Sequence, residues 1–308
     1  MNAPAVSVGL PVFNGGKYLK EAIDSVLAQT FRDFEFIISD NGSTDDTREI
    51  CEEYASADPR IRYCRAEKNM GGGWNFNNVF FLSRGVYFVW FCHDDLWSPD
   101  FLEKHVDVMN KRPELASCYS RTSFINAEGD PIYSIVGRPY MAGSDPAVRF
   151  RRFLRYHTPT NECSQVLGLF RSDVLKKTRL MGIYPSSDMI LLGEILLRGP
   201  AFEIPECLLI RRDHPLKSTN AYHSMEERAE WYDPRKKGKI QLTTWRWVYE
   251  WSRSVLRVPI RFEEKWRSLA AVKEWACLHR SAMKKEIKSA IKRFLTDKPV
   301  IKHVIAGR

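Results

Sequence analysis

The segment Tyr87-Phe88-Val89-Trp90-Phe91-Cys92-His93-Asp94-Asp95 ends an apolar run on two adjacent carboxylates. Hard divalent cations take oxygen ligands, so this pair has the chemistry to hold one. In an open α/β sheet, ligands bind outside the carboxyl ends of the strands, which is where Asp94 and Asp95 fall if the apolar run is a buried strand. The competing use for two such aspartates is to cap the next helix. Ser98 followed by Pro99 already reads as N-cap and N1, which leaves both carboxylates free for a ligand.

The flanking sequence supplies the elements that would position them. Residues 5 to 13 read as a strand closed by the turn Asn14-Gly15-Gly16. Leu19, Ala22, Ile23, Val26 and Leu27 then make one helical stripe. Residues 34 to 40 form a second strand, Asn41-Gly42-Ser43 a turn, and 44 to 57 a helix with Asp45 and Asp46 in its first turn. The unit repeats through a strand at 60 to 64, a helix at 72 to 83 and a fourth strand at 86 to 92. Further elements are expected as helix 99 to 112, strand 116 to 125, helix 147 to 155, strand 165 to 170, helix 187 to 197 and strand 201 to 210; residues 129 to 145 give no clear signal. This alternation argues for an α/β fold with a mostly parallel central sheet between helices.

In that layout the polar residues gather at strand ends: Pro11 to Asn14, Asp40, Asn69 to Gly73, and His93 to Asp95 converge on one cleft. Asp40 has two readings, as an acceptor for a base or ribose and as the geometric residue of the Asn41-Gly42-Ser43 turn. Gly71-Gly72-Gly73 lets backbone approach a ligand but fits neither a Walker loop nor GxGxxG.

Composition is that of a globular protein. The N-terminus enters a strand at once and no apolar run is long enough for a signal peptide or a membrane span, so a cytoplasmic location is expected, with the inner membrane face as a peripheral option. Seven scattered cysteines, with no CxxC pair, read as reduced thiols, and Cys92 and Cys118 as small hydrophobes. The net charge of +9 is uneven: from Met225 onward 21 Lys and Arg face 10 Asp and Glu, or +11, against −2 for the rest.

The strand and turn motifs together resemble the family 2 glycosyltransferases, which have the nucleotide-sugar-binding GT-A fold. The resemblance rests on Val8-Gly9-Leu10-Pro11-Val12-Phe13-Asn14 with the helix after it, on Asp33 through Asp45, on Asn69-Met70-Gly71, and on the strand ending in Asp94-Asp95. It covers roughly the first two-thirds of the chain and weakens after Ser123. It implies an inverting, metal-dependent enzyme taking a sugar from a nucleotide donor, UDP-linked by expectation, to a saccharide or lipid-linked acceptor in surface polysaccharide synthesis. Pro11, Phe13 and Asp40 would line the nucleoside site, with Asn14, Asn69 and Gly71 on the same rim. Asp94 would contact ribose or metal, and Asp95 would bind Mg2+ or Mn2+. Where many members carry a further Asp, this chain has Cys92.

An inverting transfer needs a base for the acceptor hydroxyl, and the resemblance gives that place to Asp188, in Pro185-Ser186-Ser187-Asp188-Met189. Its alternative role is to complement a helix N-terminus, although Ser186 or Ser187 could cap instead. Arg211-Arg212-Asp213-His214 resembles the segment that sets a His near the diphosphate, making His214 a third metal ligand and Arg212 or Arg211 a phosphate partner.

The expected organisation is a transferase domain over residues 1–222 and a basic, Trp-rich helical extension over 223–308. Ile287, Ala290, Ile291, Phe294 and Leu295 form one stripe of a helix whose other side carries Lys284, Lys285, Lys288, Lys292 and Arg293. Trp231, Trp245, Trp247, Trp251, Trp266 and Trp275 suit an anionic membrane surface, and equally a core shared with the catalytic domain or with a second copy in a homodimer. Nucleic-acid binding is disfavoured because the basic residues carry no recognised motif. A nucleotidyltransferase is disfavoured by the lack of a basic Gly-rich loop after the first strand, and a retired transferase domain that only binds membrane or nucleic acid is the non-enzymatic rival.

Overall fold

The computed structural model describes residues 3–135, 141–156 and 163–296. Strand β1 (Val6–Val12), helix α1 (Gly16–Leu27), β2 (Phe34–Asp40), α2 (Thr47–Ala57), β3 (Ile61–Arg65), α3 (Gly72–Phe81) and β4 (Tyr87–Trp90) follow the expected alternation. Every residue of β1, β2 and β4 is buried, as central strands covered on both faces require. The register pairs Val12 with Asp40, Asp40 with Arg65 and Gly9 with Trp90, all in parallel, so four carboxyl ends share one rim.

The chain continues through β5 (Leu96–Trp97), α4 (Phe101–Lys111), β6 (Ser117–Ile125), β7 (Pro131–Ile135), α5 (Pro146–Tyr156), β8 (Leu169–Arg171), α6 (Ser172–Leu175), α7 (Ser187–Arg198) and β9 (Ala201–Arg212). The strand order is β3-β2-β1-β4-β8-β6-β9-β5, with β7 on β6. β6 and β9 pair in parallel, while β8, β5 and β7 join antiparallel. Counted by paired residues the sheet is mostly parallel, as expected.

Several local expectations shift. Ser98 is not the cap of α4: Gln29, buried at the end of α1, accepts the Leu102 N–H (2.9 Å) on its Oε1 and donates from Nε2 to Ser98 O (2.7 Å). A side chain distant in sequence has taken the capping role, and Leu96–Trp97 is freed to pair with β9. Helix α2 begins at Thr47 because Asp45 turns back to accept the Gly16 N–H (3.0 Å). The strand expected at 165 to 170 is mostly a tight turn at Ser164–Leu167, leaving only β8. Within the stretch 129 to 145, β7 forms a hairpin with β6; residues 136–140 lie outside the described residues.

Beyond the sheet come α8 (Ser218–Ala221), α9 (Met225–Tyr232), α10 (Thr243–Arg257), α11 (Phe262–Leu278) and α12 (Arg280–Thr296). Helix α10 packs on α7 and α11 on α5. The six tryptophans divide: Trp247, Trp251 and Trp275 are buried in the core that also contains the sheet, Trp231 is half-buried, and Trp245 and Trp266 are exposed. The three buried indoles meet edge to face or tilted, with centroids 4.9 to 6.5 Å apart. Trp251→Ala should cost about 3–5 kcal/mol of stability in urea unfolding, while Trp266→Ala should stay within about 0.5 kcal/mol of the parent.

Candidate active site

The loops leaving β1, β2 and β3 are tied to one another at the rim. Asn14, left-handed at φ 51°, donates its N–H to Ser43 Oγ (2.9 Å) and accepts the Thr44 N–H on Oδ1 (2.9 Å). Asn41 donates from Nδ2 to Asn69 Oδ1 (3.0 Å) and accepts the Met70 N–H (2.9 Å), and Asn69 Oδ1 also accepts the Gly71 N–H (2.8 Å). Pro11 is buried below this rim and Phe13 stands exposed on it. Of the residues expected around a nucleoside, Pro11, Phe13, Asn14, Asn69 and Gly71 are therefore brought together.

Of the two readings of Asp40, the contacts support the turn. Its side chain is 0 % exposed, Oδ1 accepts the Ser43 N–H (2.8 Å), and Oδ2 accepts the Tyr63 hydroxyl (2.8 Å) and pairs with Arg65 Nε (3.2 Å). Both oxygens are engaged inside the protein, so in this geometry Asp40 fixes the 41–43 turn rather than presenting a carboxylate to a base.

Asp94 and Asp95 follow the end of β4 and are held by the end of β9. Asp95 Oδ1 accepts the Arg212 N–H (3.1 Å), and Arg211 Nε lies 3.4 Å from Asp95 Oδ2. That Oδ2 is buried and has no hydrogen-bond partner among the described residues. Asp94 Oδ2 meets His214 Nε2 at 3.0 Å, and the His214 ring packs on Tyr18 at 4.8 Å between centroids. Burial alone would raise the Asp94 carboxyl, but the His214 hydrogen bond and the charges of His93, Arg211 and His214 leave it well below the carboxylate range. Asp95 goes the other way. Burial, opposed by Arg211 and reinforced by the Asp94 charge, pushes it up to about 7.

Cys92 Sγ and oxygens of Asp94 and Asp95 all lie within 4.8 Å of one another. Two hard oxygen donors, one of them buried and met only by the Arg211 charge, fit a divalent cation. The thiol fits less well: burial and the charges of Asp95 and Asp94 push it well above its usual pKa, which keeps it protonated. Cys92 is nonetheless at the site and not inside a strand, because β4 stops at Trp90. His214, expected as a third ligand, instead bonds Asp94 from the side, as groups that orient a ligand do.

Arg212 also differs from expectation. Its guanidinium is 2 % exposed, donates to Asp94 O (3.3 Å), Ala127 O (3.3 Å) and Glu21 Oε2 (2.6 Å), and lies 4.6 Å from the Tyr18 ring centroid. It braces the loop. Arg211, its neighbour on the strand, lines a cavity. Successive strand residues point to opposite faces, so the sequence named the pair but not which member faces the ligand. Lys217, buried with its ammonium 5.3 Å from the Phe124 ring, adds positive charge near Asp95 and had no sequence signal.

That cavity, of about 590 Å³, is lined by Cys92, Arg211 and Asp188 among others. Asp188 lies in the first turn of α7; Ser186, in the cap position, is left-handed (φ 58°) and makes no side-chain capping bond, contrary to the role expected for it. Burial raises the Asp188 carboxyl above its ordinary value, against the lowering effect of the Met189 and Asp188 backbone N–H groups and of the Arg211 charge. The charge of Arg211 thus acts on Asp94, Asp95 and Asp188 alike.

The sequence model for glycosyl transferase family 2 matches residues 7–179, more than half of the 308 residues. The chain belongs to that family. This glycosyltransferase is 37 % identical over 139 residues to chondroitin synthase of Escherichia coli, an alignment covering 42 % of this chain and 20 % of that much longer protein. Among solved structures it resembles Staphylococcus aureus TarS 1-349 in complex with UDP-GlcNAc, with a TM-score of 0.63 at 14 % identity over 88 % of this chain and 72 % of the other. It also resembles the mannosyltransferase PcManGT of Pyrobaculum calidifontis in complex with GDP-Man and Mn2+, with a TM-score of 0.55 at 14 % identity over 99 % and 79 %. These likenesses show the shared GT-A fold.

Because Arg212 satisfies two backbone carbonyls in the braced loop, Arg212→Ala should lower the stability of the glycosyltransferase by about 1–3 kcal/mol. Thermal unfolding in the absence of any nucleotide or metal measures that loss.

Proposed function

We propose that this family 2 glycosyltransferase is an inverting, divalent-metal-dependent enzyme that moves a sugar from a UDP-linked donor to a saccharide or lipid-linked acceptor in cell-surface polysaccharide synthesis. The observation that carries this reading is the Asp94–Asp95 pair, with a buried Asp95 oxygen that accepts no hydrogen bond among the described residues, next to a cavity that also contains Asp188. The chondroitin synthase relative supports the polysaccharide assignment, and the UDP-GlcNAc and GDP-Man complexes of the two structural neighbours support a nucleotide-sugar donor. Mn2+ in one of those complexes supports the cation.

In this mechanism the nucleoside lies on the rim of Pro11, Phe13, Asn14 and Asn69, and the diphosphate at the end of β4; Gly71, expected on that rim, is covered by α9. Asp94 and Asp95 would hold Mg2+ or Mn2+, which would supply positive charge against that of the departing diphosphate. Arg211 adds a fixed guanidinium on the same side. Asp188 accepts the proton of an acceptor hydroxyl while that oxygen forms its bond to the anomeric carbon and the bond to the diphosphate breaks; a single displacement inverts the centre. A carboxylate raised by burial is the stronger base for this step.

The exposed apolar side of α12 supports peripheral contact with an anionic membrane on the cytoplasmic face. Ile287, Ile291, Phe294 and Leu295 are 38 to 56 % exposed, with lysines on the other side. Among the described residues no helix is long and apolar enough to cross a membrane.

With Mn2+, the purified chain should release nucleoside diphosphate from a UDP-sugar, and Asp95→Ala should abolish that release; absence of turnover with every common UDP- and GDP-sugar would favour the retired-domain rival. Asp188→Asn should retain donor binding and lose about 10²–10⁴-fold in transfer rate. Since Asp188 must be ionised and its pKa is raised, kcat/KM should fall with decreasing pH on an acid limb lying above 3.8, the ordinary value for an Asp. Sedimentation with anionic but not neutral liposomes tests the membrane contact; equal binding to both removes its electrostatic part.

A further inference from the structure

The family match ends at residue 179, yet one wall of the cavity beside Asp188 comes from residues 220 to 232. Trp231 of α9 is its centre. The Trp231 ring lies 6.4 Å from Phe76 of α3, 6.4 Å from Tyr222 and 4.9 Å from Tyr232, measured between centroids. Polar groups accompany the rings: Arg228, one turn earlier on α9, lines the same cavity, as do His223 and Asn220.

The seat of this wall explains the glycine triplet. A Cβ on Gly71, whose φ is 93°, would stand 2.5 Å from Tyr232 O, and one on Gly72 would stand 2.8 Å from the Trp231 ring. On Gly73 it would stand 3.1 Å from Gly182 O. The triplet is therefore bare because α9 and the 182 loop pack directly onto it. A capping box at Ser224 and Glu227 fixes the start of α9 (Glu227 N–H to Ser224 Oγ, 3.1 Å; Ser224 N–H to Glu227 Oε2, 3.0 Å).

We propose that Trp231, with Phe76 and Tyr222, forms the acceptor subsite and binds a pyranose ring of a saccharide. This rests on the transferase reading above. A pyranose has apolar C–H faces and a polar edge of hydroxyls, and an aromatic wall with Arg228 and Asp188 nearby offers a match for both. Cys92 and Arg211 reach this cavity from the ends of β4 and β9, next to the Asp94–Asp95 pair, and residues 220 to 232 supply the wall that we assign to the second substrate. Saccharide specificity then resides in a segment outside the family-matched region.

The test uses the full chain with Mn2+, a UDP-sugar donor and a panel of p-nitrophenyl glucosides, galactosides and N-acetylhexosaminides. Trp231→Ala should raise the acceptor KM at least tenfold and leave the donor KM within twofold, and Trp231→Phe should recover part of the loss. Gly72→Ala, which pushes against the same ring, should shift the acceptor KM in the same direction. Unfolding midpoints identify any variant that fails to fold, and Tyr222→Ala then replaces it. An unchanged acceptor KM, or a donor KM that rises by the same factor, overturns the proposal. So does failure of the parent protein to use any panel saccharide or bind one by saturation-transfer NMR while still turning over donor. Saccharide binding that depends on Trp231 in a protein without donor turnover would leave this site standing and remove the transferase mechanism instead.

Discussion

Two adjacent carboxylates at the end of a central strand, Asp95 buried and Asp94 half-buried, are the constraint from which the rest of the arrangement follows. Left uncompensated, each would cost several kcal/mol. The compensation comes from the far end of the sheet and depends on a two-residue strand. Because Leu96 pairs with Ile210 and Trp97 with Leu209 in antiparallel register, Asp95 and Asp94 are brought alongside Arg211 and Arg212. His214 completes the set on Asp94. The same pairing sends one arginine into the loop brace and its neighbour toward the cavity, so a single register decides both the stability of the acidic pair and the charge that faces a ligand.

The C-terminal helices belong to the site more than their composition implies. Trp247 donates from its indole to Pro185 O (2.9 Å), holding the loop just before Asp188. Glu194 of α7 and Glu250 of α10, both buried, share Arg179 between them, and Arg198 and Arg246 add further charge. Buried acids matched in this way lock the two helices in one relative position, since sliding either would strand a charge. The location of Asp188 is thus set by α7 on one side and by α10 on the other.

Much of the catalytic half was readable because its signals are local. Strand runs buried on both faces, amphipathic stripes and the abrupt Asp94–Asp95 ending each occupy a short window, and they produced β1 to β4, α1 to α4 and the acidic pair nearly in place. What was not readable depended on distant partners. Gln29 capping α4 is a contact across 73 residues, and the partners of Asp40 include Tyr63 on a different strand. The choice between Arg211 and Arg212 required the β5–β9 register, and β5 is too short to have a period. The division of the tail tryptophans into buried and exposed sets was likewise undetermined, because basic amphipathic helices use the same residues against a core as against an interface.

The order of elements along the chain has a bearing on biosynthesis. Asp95 leaves the ribosome 117 residues ahead of the Arg212 N–H that it accepts, and the aromatic wall of α9 appears later still. A nascent chain can therefore assemble the first four strands while their acidic terminus remains hydrated, and the pocket is walled in only after the whole sheet has been made. Premature termination between β9 and α9 would yield a polypeptide with its sheet strands and without the α9 wall of the pocket.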